Sequence, residues 1–245
     1  MFIAVDDTDS RKGMCTTFLA TELIEEFRGF ELLSYPKLVR LNPNVPWKTR
    51  GNGAVVLELG HGDEKGEKIG EIDGDIHIYS GSNEQQPDID EDIFQRAEDV
   101  VQRWAMMDDD GTNPGLVISN ERLPRSVYEE AVTDVLGLDD ILKVLDEHEC
   151  IYSGFGERRG LIGAASALSW RPDDSTYELI TYRKKKRWGE ERDVPEEDVI
   201  QYDRNTQKTF DNYDHQEGAQ MLAPNSPCPV LYGARGDDPG ELKKA

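Results

Sequence analysis

The segment from Met1 to Ala20, MFIAVDDTDSRKGMCTTFLA, constrains the architecture of this chain more than any other. Residues 2–5 are a short apolar run that reads as a buried strand. Asp6, Asp7 and Asp9 follow it directly, and a turn from Gly13 to Thr17 opens a helix. A strand that ends in clustered acids beside a helix N-terminus can hold a divalent metal and a phosphate together. The carboxylates supply hard oxygen ligands, and the helix supplies unpaired N–H groups and the positive end of its dipole. The same residues also fit a plain acidic turn with Asp or Thr caps.

Strand and helix patterns alternate through the remainder. Strands are expected at 32–41, 54–59, 115–118, 151–152, 177–182 and 230–232, and helices at 16–27, 93–104, 125–136, 139–148 and 161–168. Residues 61–75 are rich in Gly and charge and read as an exposed connection, and 233–240 as a polar turn. With no repeats, this order indicates an α/β or α+β chain. No clear linker divides it, so a second domain is expected to be inserted into the first or interleaved with it.

The 245 residues suffice for one large domain or two modest ones. No apolar run approaches a membrane span and no secretory leader is evident, so a cytoplasmic protein with no membrane partner is expected. Cys15, Cys150 and Cys228 form no CxxC pair, which argues against a disulfide framework and against a zinc site in this chain. Fifty acids against 28 Lys and Arg leave a net charge of −22. Such a balance disfavours nucleic acid on simple electrostatics, yet the acids are spread along the chain. At about 1 M salt the Debye length is only ~3 Å, so a carboxylate-rich surface costs little. The charge therefore fits a halophile's protein and says little about partners.

Three further segments carry chemistry. The loop from Arg40 to Gly53 contains no acid. Arg40, Lys48 and Arg50 can pair with phosphate, Trp47 can stack on a base, and Asn42 and Asn52 add polar contacts. A structural loop with Trp47 as a core plug fits the same residues. Gly154, Gly156, Arg158, Arg159, Gly160 and Gly163 form a Gly-rich turn leading into a small-residue helix, which can cradle phosphate. Its spacing matches neither a Rossmann nor a Walker pattern, and turn-and-packing glycines are the alternative. The run Lys184, Lys185, Lys186, Arg187 beside Trp188 suits RNA or a polyphosphate, or else a solvated loop. Asn113-Pro114-Gly115 and Thr209-Phe210-Asp211-Asn212 place polar side chains at strand entries where they could line a site, with turn chemistry the favoured reading. The four histidines show no paired spacing, so a nucleophilic hydrolase is the least supported enzyme class.

Taken together, DDTDSRKGMCTT, RLNPNVPWKTRGNGAV, TNPGLVI, GERRGLIGA, TFDNYD and PCPVLYGARG resemble, in order, the archaeal tRNA 2-agmatinylcytidine synthetases that act on the minor isoleucine tRNA. The resemblance implies an α+β chain. A kinase-like ATP-binding α/β domain (1–60 and 150–195) would be interleaved with or followed by a ferredoxin-like domain (61–149 and 196–245). It also implies that the OB-fold and zinc-ribbon domains which grip tRNA in that family are not part of this sequence. The implied reaction is ATP-dependent phosphorylation of the 2-carbonyl oxygen of the wobble cytidine in the CAU anticodon, followed by displacement of phosphate by agmatine.

On this resemblance, Asp6, Asp7 and Asp9 hold Mg²⁺, and the Gly154 to Gly163 turn with Arg158 or Arg159 holds ATP. Lys48 and Arg50 act near phosphate or the flipped cytidine. Thr16 is the expected self-phosphorylation site, with Thr17 next. A small-molecule kinase, a metal-dependent phosphohydrolase and a non-catalytic RNA-binding module are the competing readings.

Overall fold

The computed structural model describes residues 1–49, 51–61, 67–72, 75–78 (backbone), 87–172, 175–206, 208–209, 212–222 and 227–244. Two compact units emerge, Met1–Arg171 and Pro172–Ala245.

The first unit runs β1 (Phe2–Asp6), α1 (Thr16–Glu26), β2 (Glu31–Leu32), β3 (Lys37–Arg40), β4 (Gly53–Gly60), β5 (Lys68–Ile72), β6 (Asp75–Ile78), α2 (Glu91–Trp104), β7 (Gly115–Ser119), α3 (Arg125–Thr133), α4 (Leu138–Glu147), β8 (Ile151–Gly154) and α5 (Gly160–Ser169). The main sheet has the order β2-β4-β1-β7-β8, and β3 also pairs β4. β1 is central, registered Phe2↔Glu58 and Val5↔Val55 on one side and Phe2↔Ser119 and Asp6↔Gly115 on the other. Every pairing among the described strands is antiparallel. The chain is thus α+β, and the described strands of the first unit do not form the parallel sheet that an α/β domain implies.

Side chains of a strand alternate between faces, and β1 is buried on both. Phe2 and Ala4 join Val56, Val117, Leu161 and Ala164 in a core with α3, α4 and α5. Ile3 and Val5 are equally buried on the other face, where α1 packs against β1 and β4 and α2 against β7. α2 starts two residues earlier than its apolar pattern indicates because the Asp90 carboxylate caps it, accepting the Ile93 N–H at 2.9 Å. At the C-terminus of α5, the Arg122 Nη1 donates to Trp170 O (3.0 Å) and the Arg171 Nη1 to Ser169 O (2.8 Å). These cations meet the carbonyl end of the helix, where positive charge is favoured.

The division between units differs from the interleaved one expected. β7 lies between β1 and β8, so residues 115–119 share a sheet with the N-terminal strand. α3 and α4 pack on α5. The segment 61–149, expected in the second domain, therefore supplies three strands (β5, β6 and β7) and three helices to the first unit.

The second unit contains β9 (Tyr177–Tyr182), a 3₁₀ turn (Lys185–Arg187), α6 (Glu196–Asn205), β10 (Tyr213–Asp214), β11 (Ala219–Gln220), β12 (Val230–Gly236) and α7 (Pro239–Leu242). β9 pairs with β12 and β10 with β11. Its core joins Val199, Leu222, Ala234 and Leu242, flanked by Tyr177, Tyr202 and Tyr213. Residues 233–236 extend a strand and 239–242 form a helix, where a polar turn was expected. Among the described residues no helix is long and apolar enough to cross a membrane.

Candidate nucleotide site

The site begins where β1 ends. Asp6 is its last residue, and Asp7 takes a left-handed conformation (φ 53°) that turns the chain out of the sheet. Thr8 is fully buried, and its hydroxyl donates to the Thr16 Oγ1 at 3.1 Å in the first turn of α1. Cys15 precedes α1 in the N-cap position with extended backbone, and its side chain makes no capping hydrogen bond to the helix. Thr16 is only 9% exposed, whereas Thr17 is half-buried.

Burial pushes the Asp6 carboxyl up to about 7. The Asp7 N–H opposes the rise, and the charges of Asp7 and Asp9 add to it. Asp7 is pushed up to about 6, again mainly by burial, with the Asn113 N–H and the Arg159 guanidinium favouring its charged form. Neighbouring acids raised in this way are stabilised by a cation. Among the described residues no three His, Cys, Asp or Glu side chains form a group able to hold a metal ion, so Asp6, Asp7 and Asp9 are not a three-carboxylate cage.

The Gly-rich turn lies against this strand end. A Cβ on Gly163 would fall 1.8 Å from Asp6 Oδ2, and one on Gly160 would fall 2.7 Å from Asp6 O and 2.3 Å from Gly115 N. Only hydrogen fits at these positions, so α5 approaches β1 and β7 backbone to backbone. Within the turn, Gly156 and Arg158 are both left-handed (φ 58° and 61°). Arg159 pairs with Glu157, and its guanidinium carbon lies 5.8 Å from the centroid of the Trp47 ring. Arg159 thus links the acidic strand end, the Gly-rich turn and the basic loop, the three segments singled out in the first unit.

Trp47 is 53% exposed, so it does not plug the core. Lys48 is exposed and donates to Pro43 O, Arg40 is exposed at the end of β3, and Arg50 lies outside the described residues. Asn42 and Asn52 are engaged within the loop. Asn42 is buried, donates to Asp134 O at 3.3 Å and accepts the Asn44 N–H at 2.9 Å. The Asn52 Nδ2 donates to Asn42 O at 2.8 Å. These bonds hold the loop together and tie it to the end of α3.

Lys184, Lys185, Lys186 and Arg187 belong to the second unit and are exposed. Lys185 lies 6.0 Å from the Trp188 ring centroid and Arg187 pairs with Glu190 at 2.7 Å. Phe210 and Asp211 lie outside the described residues. Asn212 is buried, donating to Asp203 Oδ1 at 2.6 Å and accepting the Arg235 N–H at 3.0 Å.

The sequence favours turn chemistry for Asn113 over a place in the site. The residue is 2% exposed and makes contacts on both sides of the site. Its N–H donates to Asp7 Oδ2 (3.1 Å), its carbonyl accepts the Gly160 N–H (2.9 Å), and its Oδ1 accepts the Glu157 N–H (2.7 Å).

Comparison with known proteins bears on the same residues. Residues 2–156 match the profile of the TiaS TCKD domain and residues 158–245 that of the TiaS FLD domain. The isoleucine-tRNA 2-agmatinylcytidine synthetase TiaS of Methanocaldococcus jannaschii is 37% identical over 254 residues, covering 100% of this chain and 55% of that protein. The corresponding protein of Archaeoglobus fulgidus is 37% identical over 252 residues, covering 100% and 54%. A crystal structure of TiaS in complex with its isoleucine tRNA and ATP superposes with a TM-score of 0.82 at 35% identity, covering 99% of this chain and 54% of that one. A complex of TiaS with the same tRNA, AMPCPP and agmatine gives 0.80 at 34% identity, covering 99% and 54%. The chain spans about half the length of the relatives it matches. With both profiles matched in succession along nearly all of its length, the chain belongs to the TiaS family.

Proposed function

We propose that this chain is the ATP-binding part of an enzyme that conjugates agmatine to the wobble cytidine of the CAU-anticodon isoleucine tRNA. The observation that carries the reading is the meeting of Asp6 and Asp7, the Gly154 to Gly163 turn, Arg159 and Trp47 at one end of β1. Phosphoryl transfer asks chiefly for positioning and charge neutralisation, and these groups suit both. The turn backbone and Arg158 or Arg159 hold the triphosphate. Trp47 offers a stacking face for the extruded base, with Arg40, Lys48 and Arg50 close in sequence for phosphate.

The donor set fits Mg²⁺. Two crowded carboxylates suit a cation that completes its shell with phosphate and water oxygens. Asp6 and Asp7 would hold it, with Asp9 acting through water, and it would neutralise charge on the transferred phosphoryl group. Thr16 is the self-phosphorylation site of the reading and Thr17 the second candidate. Thr8 holds the Thr16 hydroxyl in place. Peptide mapping after incubation with ATP distinguishes them.

The second unit takes the role of the ferredoxin-like domain. Support comes from the resemblance and from its α+β make-up, with α7 packed on β9 and β12. Its exposed Lys184 to Arg187 run is assigned to tRNA. Calorimetric titration with ATP in molar KCl, with and without Mg²⁺, tests the central reading. Mg²⁺-dependent binding that Asp7→Ala abolishes while the fold survives is expected. Undiminished binding in that variant would remove Asp7 from the site, and no binding to the wild type would remove the nucleotide reading.

A further inference from the structure

We infer that Asn113 is a positioning residue that holds the phosphate-side turn in register with the Asp7 carboxylate, an inference that rests on the nucleotide reading above. All four of its hydrogen-bonding groups are in use. Beyond the contacts to Asp7, Glu157 and Gly160, its Nδ2 donates to Gly111 O at 3.1 Å. One buried residue therefore touches the acidic strand end through its backbone, the turn through its side-chain oxygen, and the 108–112 loop through its side-chain nitrogen.

The geometry is selective for asparagine. Aspartate keeps the acceptor for the Glu157 N–H but has no donor for Gly111 O, and it adds charge beside Asp7. Serine is too short to span both partners, and alanine offers neither group. The turn is shaped to receive this side chain. Gly156 is left-handed, and a Cβ there would fall 2.5 Å from Asn113 Oδ1. Phe155 N–H donates to Pro114 O at 2.9 Å, so the residue next to Asn113 is laced to the same turn. Without the Asn113 side chain the Glu157 N–H loses its acceptor. The turn then keeps only its backbone anchors at the two ends, Phe155 N–H to Pro114 O and Gly160 N–H to Asn113 O, and its middle around Glu157 loosens. Groups that orient ligand-binding residues in this way commonly change affinity about 10–100-fold when removed.

The test uses the whole chain in molar KCl and two variants, Asn113→Ala and the isosteric Asn113→Asp. Two quantities are read. One is amide hydrogen exchange at Glu157 and Gly160. The other is ATP affinity with and without Mg²⁺. In Asn113→Ala, exchange at Glu157 is expected to speed up at least about tenfold and Mg-ATP affinity to fall by a similar factor. Asn113→Asp is expected to restore protection at Glu157, because the acceptor remains, while Mg-ATP binding stays weak. A merely structural residue would lower the thermal midpoint in both variants and leave the ratio of affinities with and without Mg²⁺ unchanged. Unchanged exchange at Glu157 in Asn113→Ala, or a loosened turn with ATP affinity within twofold of wild type, would overturn the inference alone. A wild type that binds no ATP would instead overturn the nucleotide reading beneath it.

Discussion

Asp6 and Gly163 are fitted to one another at the level of single atoms, since any Cβ at 163 falls 1.8 Å from the Asp6 carboxylate. Gly163→Ala must therefore displace Asp6 or shift α5. Overpacking of this kind costs about 1–3 kcal/mol, and Mg-ATP affinity, read by calorimetry, is expected to fall at least about tenfold. Retained affinity in a folded Gly163→Ala protein would detach Asp6 from the ligand. The carboxylate itself is held at a cost to the fold, being pushed up to about 7 by burial and by Asp7 and Asp9. Asp6→Asn keeps the shape and removes the charge. Its thermal midpoint without ligand, followed by circular dichroism, is expected to rise about 2–4 °C, while Mg²⁺-dependent binding disappears. A fall in midpoint would show that the charge stabilises the empty protein.

The elements record which physical signals a sequence carries. β9 coincides with the alternating pattern at 177–182, and β1 and α1 lie within one residue of their expected bounds, because a clean period and a turn bracket each. The expected strand at 32–41 is instead two short pieces, β2 and β3, with Pro36, which has no N–H for a ladder, between them. β5 escaped notice because its residues, KIGEI, lie within a charged, Gly-rich stretch. α6 had no apolar stripe to reveal it, with Val199 as its one buried residue. That the acids, the Trp loop and the Gly-rich turn stand out was legible from residue types alone. The part played by Asn113 was not, because it depends on a contact with Glu157 across 44 positions of sequence. Asn42 and Asn52 sit in a motif that looks ligand-facing, yet their amides close the loop between β3 and β4.

β3 carries a pH signal of its own. Lys37, paired with Val56 across the ladder, lies 3.6 Å from Glu58, and Arg122 approaches the same carboxylate at 3.5 Å. Burial pushes the Lys37 ammonium down to about 8 from its ordinary 10.5, with Glu58 opposing the shift and Arg122 adding to it. Between those values the unfolded chain binds more protons than the folded one, so unfolding free energy rises with pH across that window. Denaturant titrations at about pH 8, 9 and 10 are expected to show this rise in the wild type and a shallower one in Lys37→Met. Equal slopes would remove Lys37 as its source.

For the whole molecule, the boundary between the family profiles and the boundary between the compact units fall at different places. The first profile ends at residue 156, whereas the first unit runs to Arg171. The difference is α5, which packs on β1, β4 and β7. A chain ending at 171 is expected to fold and to bind Mg-ATP as the whole chain does. One ending at 156 loses Leu161, Ala164, Ala165 and Leu168 from the core and is expected to be unfolded by circular dichroism. A folded 156-residue chain would mean that α5 is dispensable to the sheet.

The contact between α5 and the sheet has a mechanical consequence. Between Gly160 and Gly115 there is no side chain to compress or to turn, because the backbones themselves touch. The turn and the end of β1 therefore form the fixed jaw of a clamp. On the nucleotide reading, any closure on a ligand would then fall to the loop that carries Trp47, whose ring centroid lies 5.8 Å from the Arg159 guanidinium carbon.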